Sequence, residues 1–194
     1  MTGFLAILFR QKYIDRWGLM RNTEKESLAE HASEVAAIAH VLCTIGNTYY
    51  GKSYNTDRAV SLALFHDVPE VFTGDLPTPV KYFSAESKKS YSDIENIYVN
   101  RLLSTLPAEM KETYSPLFGH GEDDAELRRM VKIADKLAAY IKCVKECASG
   151  NRDFFAAKES TEKALEKMKC PELDYFTENF LPAFGMSLDE LQEL

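Results

Sequence analysis

His31, Val35, Ile38, Leu42 and Ile45 stand at alternating steps of four and three, a spacing that lines all five side chains along one face of an α-helix. Ser27 and Glu30 form an S-x-x-E capping box just ahead of them, so the helix has a defined start and His31 heads a core-facing stripe. The same period returns between about Asp124 and Cys147, where Leu127, Val131, Ala134, Ala138 and Ile141 make a second buried stripe with Asp135 on its edge. No run of alternating polar and apolar residues long enough for a strand occurs. The chain is therefore expected to be all-α, a helical bundle.

Further helices fill in the pattern. One should run from about Thr56, as N-cap, to Asp67, with Asp57 favourable in its first turn; Pro69 then biases Val68 away from helix. The adjacent pair His66-Asp67 closes this helix, and the turn-rich segment Thr73-Gly74-Asp75-Leu76-Pro77-Thr78-Pro79 follows. An amphipathic segment passes through Ile94, Ile97, Tyr98 and Leu102, and a shorter one follows Pro107. Asn151 or Asp153 caps a helix containing Phe154, Phe155, Leu165 and Met168, and Pro171 at an N1 position starts the last, with Leu173, Phe176 and Phe180 facing inward. No repeat or low-complexity linker divides the 194 residues, which are expected to form one domain over 1–194.

Composition removes several function classes. A net charge of −7 argues against affinity for a nucleic-acid polymer, because neutralising phosphates takes clustered Lys and Arg. The four cysteines show no C-x-x-C spacing, so they are expected to be reduced core thiols in a cytoplasmic protein. The opening run Phe4-Leu5-Ala6-Ile7-Leu8-Phe9 lacks a basic n-region ahead of it, and no stretch approaches the ~18 apolar residues of a membrane span.

The chemistry concentrates in His31, His66, Asp67 and Asp135. Polar and ionised groups on or beside apolar helix faces cost several kcal/mol each unless they are paired or bind a cation. One divalent ion would satisfy all of them together. Imidazole and carboxylate donors suit Mn, Fe, Co, Ni or Zn better than Ca or Mg, and leave positions for water and substrate.

These residues also carry a resemblance. The order H…HD…D, together with Leu19-Met20-Arg21-Asn22, Glu30-His31, the run from His66 through Glu70 and Asp75 to Lys81, and Asp135-Lys136-Leu137, resembles the HD-domain phosphohydrolases. More narrowly it is similar to the bacterial 5′-deoxynucleotidases, and the likeness extends over nearly the whole chain to Ser187-Leu188-Asp189-Glu190. The resemblance implies an HD-domain bundle that acts as a homodimer, uses one divalent ion such as Co, Mn or Cu, and takes phosphate from a deoxynucleoside 5′-monophosphate. It implies that His31, His66, Asp67 and Asp135 are metal ligands, that Arg16 holds the phosphate, that Trp17 shapes the substrate site and that Glu70 transfers a proton. Asp75, Leu76, Pro77 and Thr78 would line the sugar and phosphate pocket, beside His31, Asp67 and Asp135.

Plainer readings stay open beside these. Arg16 and Trp17 can be a surface cation–π pair. Glu70 can simply open a helix after Pro69, Thr73-Gly74-Asp75 can be an ordinary turn, and Lys81 needs no function. His40 falls on a different helix face from His31, and His120, between two glycines, is expected in a loop. Rival chemistries are hydrolysis of a deoxynucleoside triphosphate or a cyclic nucleotide, and a non-catalytic metal-binding module. The dinuclear branch draws extra histidines from the stretch between HD and the last Asp, where this chain offers only His120.

Overall fold

The structure, a computed structural model, describes residues 1–81, 83–119 and 124–194, without the side chains of Thr78 and Pro79. Among them it contains α-helices and short 3-10 helices and no β-strand, only an isolated antiparallel bridge between Asp15 and Ser27. His120 lies outside the described residues.

Three helices make the centre: α2 (Leu28–Tyr49), α3 (Thr56–Phe65) and α8 (Ala125–Ala148). The capping box forms as expected, with Ser27 and Glu30 satisfying each other's backbone amides, a contribution of about 1 kcal/mol. Val35, Leu42, Leu62, Ile133 and Leu137 are fully buried between the three helices, each stabilising the fold by about 1.5–3 kcal/mol. By length and mean hydropathy alone α2 could cross a bilayer, but Glu30, His31, Glu34 and His40 interrupt it and 56% of that stretch is buried inside the bundle.

Short helices surround this centre: α1 (Phe4–Leu8), α4 (Glu70–Thr73) and α5 (Thr78–Lys81) on one side, with the longer α6 (Ala85–Ser104) and α7 (Ala108–Phe118). After α8 come α9 (Phe155–Lys167), α10 (Pro171–Asn179) and α11 (Leu188–Gln192). A second, smaller apolar cluster joins Phe4 of α1, Leu102 and Leu103 of α6, Leu106 and Val68. All four cysteines are free, and Cys43, Cys143 and Cys170 are buried.

Several boundaries and faces depart from expectation. Asn55, not Thr56, caps α3, because its side chain reaches the Arg58 amide. The helix stops at Phe65, with His66 as C-cap and Asp67 beyond it, since Pro69 cannot continue the hydrogen-bond ladder. Asn151 caps the 3-10 turn Arg152–Phe154, and α9 begins after it. On α6 the apolar series divides: Leu102 is buried, whereas Ile94 and Ile97 are 41% and 64% exposed. Phe155 is exposed as well, and Phe180, just past the end of α10, stacks on Phe176 at 5.3 Å with its outer side in solvent.

Candidate metal centre

His31 occupies the first turn of α2, where the capped start aims it inward, and it is completely buried. His66 and Asp67 sit in the tight turn after α3. That turn is held by Val68, buried in the smaller apolar cluster, and by the Glu70 amide donating to the Asp67 carbonyl at 3.0 Å. Asp135 projects from α8. Three separate elements thus deliver two histidines and two aspartates whose donor atoms all lie within 4.8 Å of one another.

The contacts are specific. His31 Nε2 lies 3.1 Å from Asp135 Oδ1 and 3.6 Å from Asp67 Oδ2, and His66 Nε2 lies 3.0 Å from Asp67 Oδ2. His66 Nδ1 is 2.6 Å from the Ala63 carbonyl; donating there assigns its proton to Nδ1 and leaves Nε2 as a lone-pair donor. Nε2 is buried and has no aligned hydrogen bond, so its lone pair is available to a cation. His31 is sealed, whereas the Asp135 side chain is 31% exposed, so the cluster opens on the aspartate side.

Electrostatics follow from this crowding. Burial pushes Asp67 up, but neighbouring His66 overrides it and holds the carboxyl down at about 2. Asp135 is likewise lowered: burial opposes ionisation, and the hydrogen bond from His31 wins. Burial would lower His66, yet Asp67 pulls it up to about 9. Carboxylates that would hold a proton on an imidazole equally favour a divalent cation between the two.

Around the cluster, Arg16 is buried with Nη1 3.7 Å from Asp67 Oδ2 and Nε 3.1 Å from Glu26 Oε1. Trp17 next to it has a left-handed backbone, φ 57°, costly for a bulky residue. Three contacts hold it: its amide donates to Asp75 Oδ2 at 3.3 Å, its indole Nε1 donates to Glu26 Oε2 at 3.0 Å, and its ring lies 5.3 Å from Phe154. The indole therefore packs on Phe154, so a surface cation–π pair with Arg16 is not what the fold builds.

Glu70 begins α4 and is buried, so the helix-opening reading and a place beside the cluster hold together. Burial, then the charge of Asp67, raise its carboxyl to about 8, while Lys81 opposes the rise from 3.2 Å. Lys81 also reaches Glu95 at 3.2 Å and sits over the Tyr91 ring. Gly74 ends α4 at φ 75°, a conformation that favours glycine, and turns the chain toward Asp75. Leu76 and Pro77 follow half-buried; the Thr78 side chain lies outside the described residues. His40 is exposed, away from the cluster.

Sequence reasoning missed Glu26, which contacts Arg16, Trp17 and His31, and set Lys81 aside. For Glu26 the available signal was its place five residues before His31, in the loop that returns from Trp17.

The family model described as 5'-deoxynucleotidase YfbR-like matches residues 3–184. The chain is 44% identical over 192 residues to proteins named 5'-deoxynucleotidase YfbR from Escherichia coli and Shigella flexneri, covering 99% of this chain and 96% of theirs. Among solved structures, an HD-domain phosphohydrolase from Listeria innocua superposes with a TM-score of 0.78 at 24% identity, covering 97% of this chain and 91% of that one. The HD phosphohydrolase DatZ of cyanophage S-2L, solved bound to dA and one catalytic Zn2+ ion, superposes with a TM-score of 0.65 at 21% identity, covering 91% and 95%.

Proposed function

The chain belongs to the YfbR-like 5'-deoxynucleotidase family, and on that premise we propose that it is a metal-dependent phosphohydrolase releasing phosphate from 2′-deoxyribonucleoside 5′-monophosphates. The observation that carries the reading is the convergence of four donor atoms within 4.8 Å, with the Arg16 guanidinium 3.7 Å from one of their carboxylates.

In this reading His31, His66, Asp67 and Asp135 hold one divalent transition ion; Co, Mn and Cu come from the family resemblance, and Zn, Ni or Fe suit the same donors. The orphaned Nε2 of His66 and the mixed imidazole and carboxylate set fit such an ion. When bound, the ion lowers the pKa of water and draws charge from a phosphoryl oxygen.

The protein supplies the rest. Arg16, buried and backed by Glu26, grips two phosphate oxygens in a fork that lysine cannot copy, and neutralises charge in an in-line displacement. Glu70, shielded from solvent and paired with Lys81, takes or delivers the proton in the exchange between water and the departing 5′-oxygen. Trp17 presents its ring beside Arg16, and Asp75, Leu76, Pro77 and Thr78 line the sugar and phosphate side.

The reading extends to a single domain over 1–194 that acts in the cytoplasm, supported by the free, mostly buried cysteines. It takes no nucleic-acid polymer, consistent with the net charge of −7, and no membrane, consistent with the buried face of α2. A homodimer is supported by Ile94 and Ile97, exposed on one face of α6.

A phosphate-release screen of protein loaded with Co2+ or Mn2+ tests the proposal, using dAMP, AMP, dATP and a cyclic nucleotide. Selective release from dAMP is expected. Release from the triphosphate or the cyclic nucleotide alone would overturn it.

A further inference from the structure

Glu26 lies outside the donor set, yet its buried carboxylate meets three of the groups around the site. Its Oε1 stands 3.1 Å from Arg16 Nε and 3.3 Å from His31 Nδ1, and its Oε2 accepts the Trp17 indole N–H at 3.0 Å. The Glu26 backbone carbonyl also accepts the Arg16 amide at 2.9 Å, closing the loop on itself. Arg16 Nε, His31 Nδ1 and Glu26 Oε1 are buried and none makes an aligned hydrogen bond, so at these ion-pair distances they are compensated by one another's charge. A buried carboxylate is retained at such a place only when its charge is compensated.

The two faces of His31 make the arrangement informative. Nδ1 points to Glu26, while Nε2 points to Asp135 and Asp67. A carboxylate on one imidazole nitrogen fixes the ring's orientation and raises the basicity of the other nitrogen as a ligand.

We propose that Glu26 is a positioning residue that couples the two halves of the site. It holds His31 with Nδ1 protonated and Nε2 turned to the cation, and it fixes the Arg16 guanidinium and the Trp17 indole in the same grip. Cation affinity and phosphate binding then depend on one side chain that contacts neither the ion nor the reacting atoms. This inference rests on the metal-dependent reading above.

The test is titration of metal-stripped protein with Co2+ alone, followed by kinetics on dAMP. Glu26→Gln keeps the size and an acceptor for the indole but removes the charge; it is expected to weaken Co2+ binding by about 10–100-fold and to raise KM for dAMP, with Glu26→Asp recovering part of both. A Glu26→Gln protein that melts like wild type and binds Co2+ within twofold of it overturns the proposal. If that variant does not fold, nitrogen-15 spectra of the Zn2+-loaded wild type decide the matter. A proton on His31 Nδ1 supports the proposal, and ligation through Nδ1 overturns it. Turnover of dAMP by the wild type is scored separately, so an inactive but metal-binding protein counts against the nucleotidase reading and not against Glu26.

Discussion

The backbone amide of Trp17 donates to the Asp75 carboxylate at 3.3 Å, tying together two loops that lie 58 residues apart in the chain. One loop carries Arg16, and the other follows α4, which Glu70 opens just after the turn bearing Asp67. The bond is one of three contacts that hold Trp17 in a left-handed conformation costly for a bulky residue. Removing the carboxylate in Asp75→Ala is expected to raise KM for dAMP by about 10-fold or more, the worth of a hydrogen bond to a charged group, with Co2+ affinity unchanged. Steady-state kinetics beside a metal titration check this.

Glu70 and Asp67 should separate chemistry from cation binding. Glu70→Ala is expected to keep the metal and lose about 10²–10⁴-fold in kcat, whereas Asp67→Ala loses the metal itself. Metal content and phosphate release measured on the same samples would show this, and wild-type turnover in both variants would remove the proposed site.

Cation binding should stabilise the fold, because the donors come from α2, the turn after α3, and α8. At 100 times its Kd, Co2+ should add about 2.7 kcal/mol, raising the melting temperature by roughly 5–10 °C. A chelator should reverse the rise, and His31→Ala should abolish it; thermal melts monitored by circular dichroism read both effects.

Away from the site, Glu146 anchors the loop ahead of Glu26. It accepts from the Thr23 amide at 3.0 Å, the Thr23 hydroxyl at 2.7 Å, Lys142 at 2.6 Å and Asn151 at 2.7 Å. Burial disfavours its charge, but the bonds from Lys142, Thr23 and Asn151 outweigh this and hold its carboxyl well below the usual range. Because the folded value lies below the unfolded one, its contribution is complete above about pH 4.3 and is lost as pH falls toward the folded value. Glu146→Ala should cost about 3 kcal/mol in urea unfolding at pH 7 and flatten the decline in stability below pH 4.

The exposed pair on α6 predicts an association. Wild type should elute as a dimer in light-scattering chromatography, and Ile94→Glu with Ile97→Glu should shift it toward monomer. A monomeric wild type would remove that part of the proposal.

Much of this was legible in the sequence, for physical reasons that differ from residue to residue. His31 and Asp135 were readable because each sits on an apolar stripe of regular period, and His66-Asp67 because Pro69 fixes where a helix must end. Glu26 was not, since it lies in an irregular loop whose partners, Arg16, Trp17 and His31, are set by tertiary closure and not by any spacing rule. Lys81 was passed over because an ion pair with Glu70 depends on how α5 folds back toward α4. Ile94 and Ile97 share the period of a core face, and spacing alone does not tell a face that meets the interior from one left in solvent. Asn55 and Thr56 are both good caps, so only the backbone could choose between them.

Val68 places the turn bearing His66 and Asp67 against the smaller apolar cluster with Phe4, Leu102 and Leu106, while His31 and Asp135 stand on helices of the larger core. Hydrogen exchange at the Val68 and Glu70 amides would report how firmly that seat is kept. A looser fit of α1 on α6 would therefore reach His66 and Asp67 through Val68 while leaving all four donor groups chemically unchanged.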